Sequence, residues 1–154
     1  MTNEQPRFIR WPKQAAQGAE AASGAHDLGA MPEWRLADLY AATDAPEVER
    51  DFTAAAAEAK RVKETYQGRL VAMGRDGAAL AEAVRAYEQL ADLMGRLGSY
   101  AGLLYAGDQS DPVRAKFYGD TSERLTNISN DLIFFELELN KIEDADLAEA
   151  LKHP

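Results

Sequence analysis

The chain has no cysteine and only two histidines, His26 and His153, among its 154 residues. The first absence excludes disulfides, thiolate zinc sites, iron–sulfur clusters and cysteine nucleophiles. The second leaves almost nothing for a histidine-based metal site. No apolar run approaches the ~18 residues of a membrane span. Positive charge is scarce: 17 Lys and Arg stand against 26 Asp and Glu, a formal charge of −9. That balance argues against a nucleic-acid partner, which needs a basic footprint. It argues equally against docking to an anionic membrane. Sustained apolar–polar alternation is missing, as are hairpin dipeptides between β-branched runs. No unit of about 30–45 residues repeats.

What is present is 46% apolar and 28% charged, the composition of a folded domain rather than a disordered chain. Residues 1–30 are the exception. They carry Arg7, Arg10 and Lys13 but no apolar core of a secretion signal. The stretch from Gln14 to Ala25 is small and polar, so this part reads as a flexible or loosely docked leader. Phe8, Ile9 and Trp11 are its docking candidates. Without a secretion signal the expected location is the cytoplasm.

From Met31 onward, residues 31–154 read as one helical domain. Pro32 fixes a turn, and Trp34, Leu36, Leu39 and Tyr40 suit a short anchoring segment. Asp44 stands two residues before Pro46, which suits a helix start with proline inside the first turn. Val48, Phe52, Ala55, Ala59, Val62 and Tyr66 follow at spacings of 4, 3, 4, 3 and 4, one face of an α-helix. Gly68 is its expected terminator. Asp76 is the next N-cap candidate. Leu80, Val84, Tyr87, Ala91 and Met94 form one stripe, and Leu90, Leu93, Leu97 and Leu104 form another beside it. Gly95, Gly98 and Gly102 lie within this pattern. Each costs about 1 kcal/mol relative to alanine, which a close backbone approach by a second helix would offset. A break near Gly95–Gly98 is the competing reading, and a continuous helix ending near Gly107 is favoured. Asp111 with Pro112 opens a third helix. Its stripe of Tyr118, Thr121, Leu125, Ile128, Leu132, Phe135, Leu139 and Ile142 keeps a 3–4 spacing throughout, as in left-handed helix packing. Phe134 and Leu137 widen it. A short helix capped by Asp144 or Asp146, with Leu147 and Leu151 as its apolar pair, comes last. The expected fold is all-α, an antiparallel bundle of about three long helices with short flanking ones.

The chemistry is sparse. His153 with Glu149 is half a metal site, and the absence of Glu-x-x-His and His-Glu-x-x-His pairs excludes the dimetal bundle and the zinc helix. The run Glu136, Glu138, Glu143, Asp144, Asp146 and Glu149 lacks the spacing of a calcium loop and reads as a solvated face with helix caps. Gly95-x-x-Gly98 lacks the strand and lysine of a phosphate loop. Asn127-Ile-Ser129 fits a glycosylation acceptor by letter alone, mid-helix. Tyr87, Tyr100, Tyr105 and Tyr118 have core spacing, with hydroxyls reaching the edge. No catalytic, cofactor-binding or metal residue emerges.

Three ordered stretches carry a resemblance. One is Glu33-Trp34-Arg-Leu36-Ala-Asp38-Leu39-Tyr40, followed by Asp44 and a helix containing Asp51-Phe52. The second runs from Tyr87-Glu88-Gln-Leu90 through Leu97-Gly98-Ser-Tyr100-Ala101 to Asp108-Gln-Ser-Asp111. The third is Phe134-Phe135-Glu136-Leu137-Glu138-Leu139 with Ile142. Together, over roughly Pro32 to Leu151, they resemble the N-terminal helical region of oligoendopeptidase F, among the thimet-oligopeptidase-like zinc metallopeptidases. The resemblance implies a larger hydrolase that cleaves short peptides in a deep channel. Its zinc and general base sit on a His-Glu-x-x-His motif far downstream. Lys152-His153-Pro154 come before any such motif, so no catalytic residue carries over. The chain is then an amino-terminal portion of such an enzyme or a truncated relative. Zinc belongs to the parent enzyme and none to this chain, and the expected partner is the missing catalytic part. The alternative from the residues alone is a stand-alone helical module that binds a partner helix or associates with itself.

Overall fold

The structure is a computed structural model that describes residues 34–152, all within one compact unit beginning at Trp34. The leader, with Phe8, Ile9, Trp11 and His26, lies outside the described residues, as do Met31, Pro32, Glu33, His153 and Pro154. Among those described the chain is all-α, without a strand.

A 3-10 turn, Leu36–Asp38, precedes helix α1, Pro46–Tyr66. Proline occupies the first turn, where its missing N–H costs nothing. The N-cap is Ala45, with no side-chain cap. The expected cap, Asp44, is one residue too early, because Pro46 already supplies a helical φ and draws the boundary to itself. All six residues of the α1 stripe are buried. Gly68 ends the segment at φ +79°, the only positive φ among the described residues, where glycine carries no Cβ penalty. A single turn, α2 (Leu70–Met73), follows, too short for a helical period to mark it among the residues.

Helix α3, Gly77–Gly107, runs 31 residues without interruption, about 46 Å. Asp76 caps it, accepting from the amides of Ala78 and Ala79 at 3.1 Å each. Its glycines are not explained by backbone approach. A Cβ on Gly98 would meet a methyl of Leu125 at 3.3 Å, and one on Gly102 the Tyr118 ring at 3.9 Å. One on Gly95 would meet nothing within 4 Å. Helix α4, Pro112–Ser129, is capped by Asp111 through the amides of Val113 at 2.7 Å and Arg114 at 3.4 Å.

The single long third helix expected from the 3–4 spacing is interrupted. A 3-10 turn at Asn130–Leu132 separates α4 from α5, Ile133–Leu139. At 120° per residue such a turn rotates the following face by about 60°. After it, consecutive Phe134 and Phe135 are both buried, at 9% and 1% exposure. Lys63 donates to Asp131 at 2.7 Å and fastens the turn to α1. The last helix, α6, is Asp144–Ala150. Asp144 and Asp146 lie in its first turn without capping it, and Glu143 is the N-cap residue. Leu151, expected to pair with Leu147, is 74% exposed, and Ala150 packs inward instead with Leu80 and Ile142.

Helix α3 packs against both α1 and α4. Its seam with α1 is built from small residues: Ala55, Ala59 and Ala83 are fully buried. Large side chains, Phe52, Leu90, Leu97 and Phe135, belong to the same core cluster.

Candidate functional site

The most buried charged group among the described residues joins the start of the unit to its two longest helices. Asp51 falls on the α1 stripe, three residues after Val48 and four before Ala55, and is 5% exposed. It accepts from the Tyr40 hydroxyl at 2.9 Å, from Arg50 at 3.1 Å, and from Arg96 on α3. The Arg96 guanidinium also lies 5.4 Å from the Tyr40 ring centre, and Tyr40 meets Tyr100 edge-on at 5.2 Å. Burial alone pushes the Asp51 carboxyl up. Hydrogen bonds from Tyr40 and Arg50 and the charges of Arg96 and Arg50 outweigh it, so the group ends below its ordinary range. Tyr40 moves up, through burial first and then through Asp51. An ionised carboxylate saturated with donors serves as a fastener rather than a proton carrier.

The acidic run is dispersed. Glu138 on α5 accepts from the backbone amides of Gly68 at 2.7 Å and Leu70 at 3.3 Å, and so serves the amino end of α2 from across the chain. Asp146 accepts from Arg75 at 2.9 Å, and Glu149 pairs with Lys152. Glu136 receives a long bond of 3.4 Å from the Tyr87 hydroxyl. Among the described residues no three of His, Cys, Asp and Glu group as a metal site.

The tyrosines do not converge on a ligand. Tyr87 stacks on Phe135 at 4.4 Å, Tyr105 stacks on Tyr118 at 5.1 Å, and buried Tyr100 takes Phe117 edge-on at 5.8 Å. Tyr118 is 41% exposed, which sets it at the edge of the stripe rather than in the core.

The remaining feature is an apolar surface. A groove of about 460 Å³ lies between α3 and the segment from Ser129 to Asn140, walled by Tyr87, Met94 and Leu132 and flanked by Ile133 and Leu137. Ile133 and Leu137 are 57% and 56% exposed and sit one helical turn apart. A second groove, about 540 Å³, shares Asn140 and continues toward α6 along Leu80, Val84, Leu139 and Leu147. Phe134 and Phe135 are both buried in this chain's own core, and Ile133 and Leu137 are the exposed apolar side chains of α5. Sequence reasoning assigned a role to neither residue: the position of Asp51 on the apolar face of α1 was a signal that could have marked it, whereas Glu138 carried none.

No protein family, curated protein or solved structure matches the chain.

Proposed function

We propose that the chain is the N-terminal helical segment of an oligoendopeptidase F-like zinc peptidase, forming part of the substrate-channel wall and holding none of the catalytic groups. In this reading α1, α3 and α4 are the three long members of an antiparallel bundle, with α5 and α6 at its flank. The observation that carries it is the pair of adjoining grooves on the α3–α5 side, with Ile133 and Leu137 left more than half exposed. Contiguous apolar surface of this kind marks an interaction site, and the catalytic part of the parent enzyme is its occupant. Residues of the motifs that carry the resemblance also make buried or long-range polar links: Tyr40 with Asp51, and Glu138 with the amides of Gly68 and Leu70. In the complete enzyme zinc would polarise the scissile carbonyl and activate water, with a glutamate as base.

The test is the reading frame downstream of Pro154 and the protein it encodes. A His-Glu-x-x-His motif and chelator-sensitive cleavage of a short quenched peptide by the complete protein are expected, with none by these 154 residues alone. A frame that runs several hundred residues without the motif overturns the reading. The same apolar face favours one rival, a self-associating helical module. Light scattering and melting at several concentrations separate the two. A concentration-dependent Tm identifies the self-associating module.

A further inference from the structure

Of the two apolar stripes on α3, one is closed: Leu90 and Leu97 are each 1% exposed in the main core. The other is closed only at its amino end, where Leu80 packs with Ile142 and Ala150. Beyond it Val84, Tyr87 and Met94 are half-buried and Ala91 is exposed. These five residues keep a spacing of 4, 3, 4 and 3, so the strip follows the axis of α3 for about 21 Å. The two adjoining grooves lie along it, flanked by Ile133 and Leu137. The rim is acidic. Glu88 and Glu136 line the grooves, and exposed Asp92 stands one turn beyond Glu88 on α3. None of the three is in an ion pair among the described residues. The one cation of the lining is Arg85.

We propose that this strip binds an amphipathic α-helix of about four turns, whose apolar stripe is flanked by lysine or arginine. A helix satisfies its own backbone hydrogen bonds. An extended peptide needs a sheet edge for them, and the described residues contain no strand. Apolar side chains at a 3–4 spacing, set against the same spacing on α3, pack with the two axes about 20° apart. Basic side chains beside that stripe meet Glu88, Asp92 and Glu136 while their stems cover apolar surface. A second copy of this chain fits less well, since it would set the same unpaired acids, and a charge of −9, against each other. The proposal rests on the reading of this face as an interface and names the chemistry of the element that fills it.

The experiment is an NMR titration of the full 154-residue chain with three blocked helical peptides of about four turns. One carries leucines at a 3–4 spacing flanked by lysines, the second has glutamate for each lysine, and the third scrambles the first. Saturable shifts at the amides of Tyr87, Met94, Ile133 and Leu137 are expected for the lysine peptide, with a Kd on the order of tens of micromolar. The glutamate peptide binds about tenfold more weakly. Glu88→Lys with Glu136→Lys reverses that order, whereas Glu64→Lys with Glu123→Lys, the same change of charge elsewhere, preserves it. All four acids are exposed, so these substitutions leave the fold intact. Equal binding of the lysine and glutamate peptides, equally tight binding of the scrambled one, or no saturable shift overturns the proposal. Shifts on this face that follow the protein's own concentration identify a second copy as the occupant and overturn it too. Peptide binding by a chain whose reading frame lacks the zinc motif overturns the peptidase reading alone, and the motif without peptide binding overturns this proposal alone.

Discussion

Helix α3 meets its surroundings in two contrasting ways. Along α1 the seam is closed: alanines interlock, Ala55, Ala59 and Ala83 have no exposed surface, and the Asp51 cluster fastens the same pair of helices. Along α5 a groove opens beside Ile133 and Leu137, and besides the Tyr87–Phe135 stack the one hydrogen bond between the two helices among the described residues is the long Tyr87–Glu136 contact. The difference lies in side-chain size and supply. Small residues let two helices close on each other, whereas large ones facing a short, rotated helix leave space unless another element fills it.

Four measurements sharpen or break this contrast. The largest effect belongs to Phe135→Ala. Its ring is 1% exposed and stacked on Tyr87, so chemical denaturation will show a loss of about 3–5 kcal/mol. A loss below 1 kcal/mol would mean that the open side extends into the core. Next is Asp51→Asn, expected to cost about 2 kcal/mol, because Arg96 and Arg50 are solvent-accessible and partly recover water. It has a pH signature. The folded Asp51 pKa lies below its unfolded value, so its contribution is complete above the unfolded pKa of about 3.9 and is lost as pH falls through the folded one. The variant will therefore lose part of the acid slope of stability below about pH 4, and an unchanged slope would refute the ionised fastener.

Gly95→Ala comes third and has the opposite sign. Open space around the new methyl predicts a gain of about 1 kcal/mol in thermal or denaturant melting. Gly98→Ala will gain less, since the Leu125 methyl must give way. The smallest effect on stability is that of Ile133→Glu with Leu137→Glu, within about 0.5 kcal/mol in the isolated chain. If the chain is the proposed peptidase segment, its docking to the remainder of that enzyme, measured by co-purification, is nevertheless lost. A large destabilisation would show that these side chains belong to the core.

Much of this was legible in the residues. Asp76 and Asp111 announced their helices because each directly precedes a Gly or Pro that opens a helix. The α1 stripe was readable because Val48, Phe52, Val62 and Tyr66 keep the helical spacing on either side of its two alanines. The α3 face was only half readable: Ala83, Ala86 and Ala101 are buried, and alanine is common on both faces of any helix. The break at Asn130–Leu132 was hidden by its own geometry, since a turn of three residues keeps the 3–4 rhythm. Asp44 shows the reverse case, a good capping residue overruled by the proline after it. Thr121 was visible as a member of the stripe, but the lack of a hydrogen-bond partner for its buried hydroxyl was not, because that depends on what α1 and α4 place around it.

The contact between Glu138 and the amides at Gly68 and Leu70 joins positions 70 and 68 residues apart. A nascent chain can therefore pair its first two long helices on leaving the ribosome, yet their connection stays unlatched until α5 has been synthesised. Premature release before residue 138 would yield a species with that corner loose, and the corner is where proteolytic nicking of incomplete chains should begin.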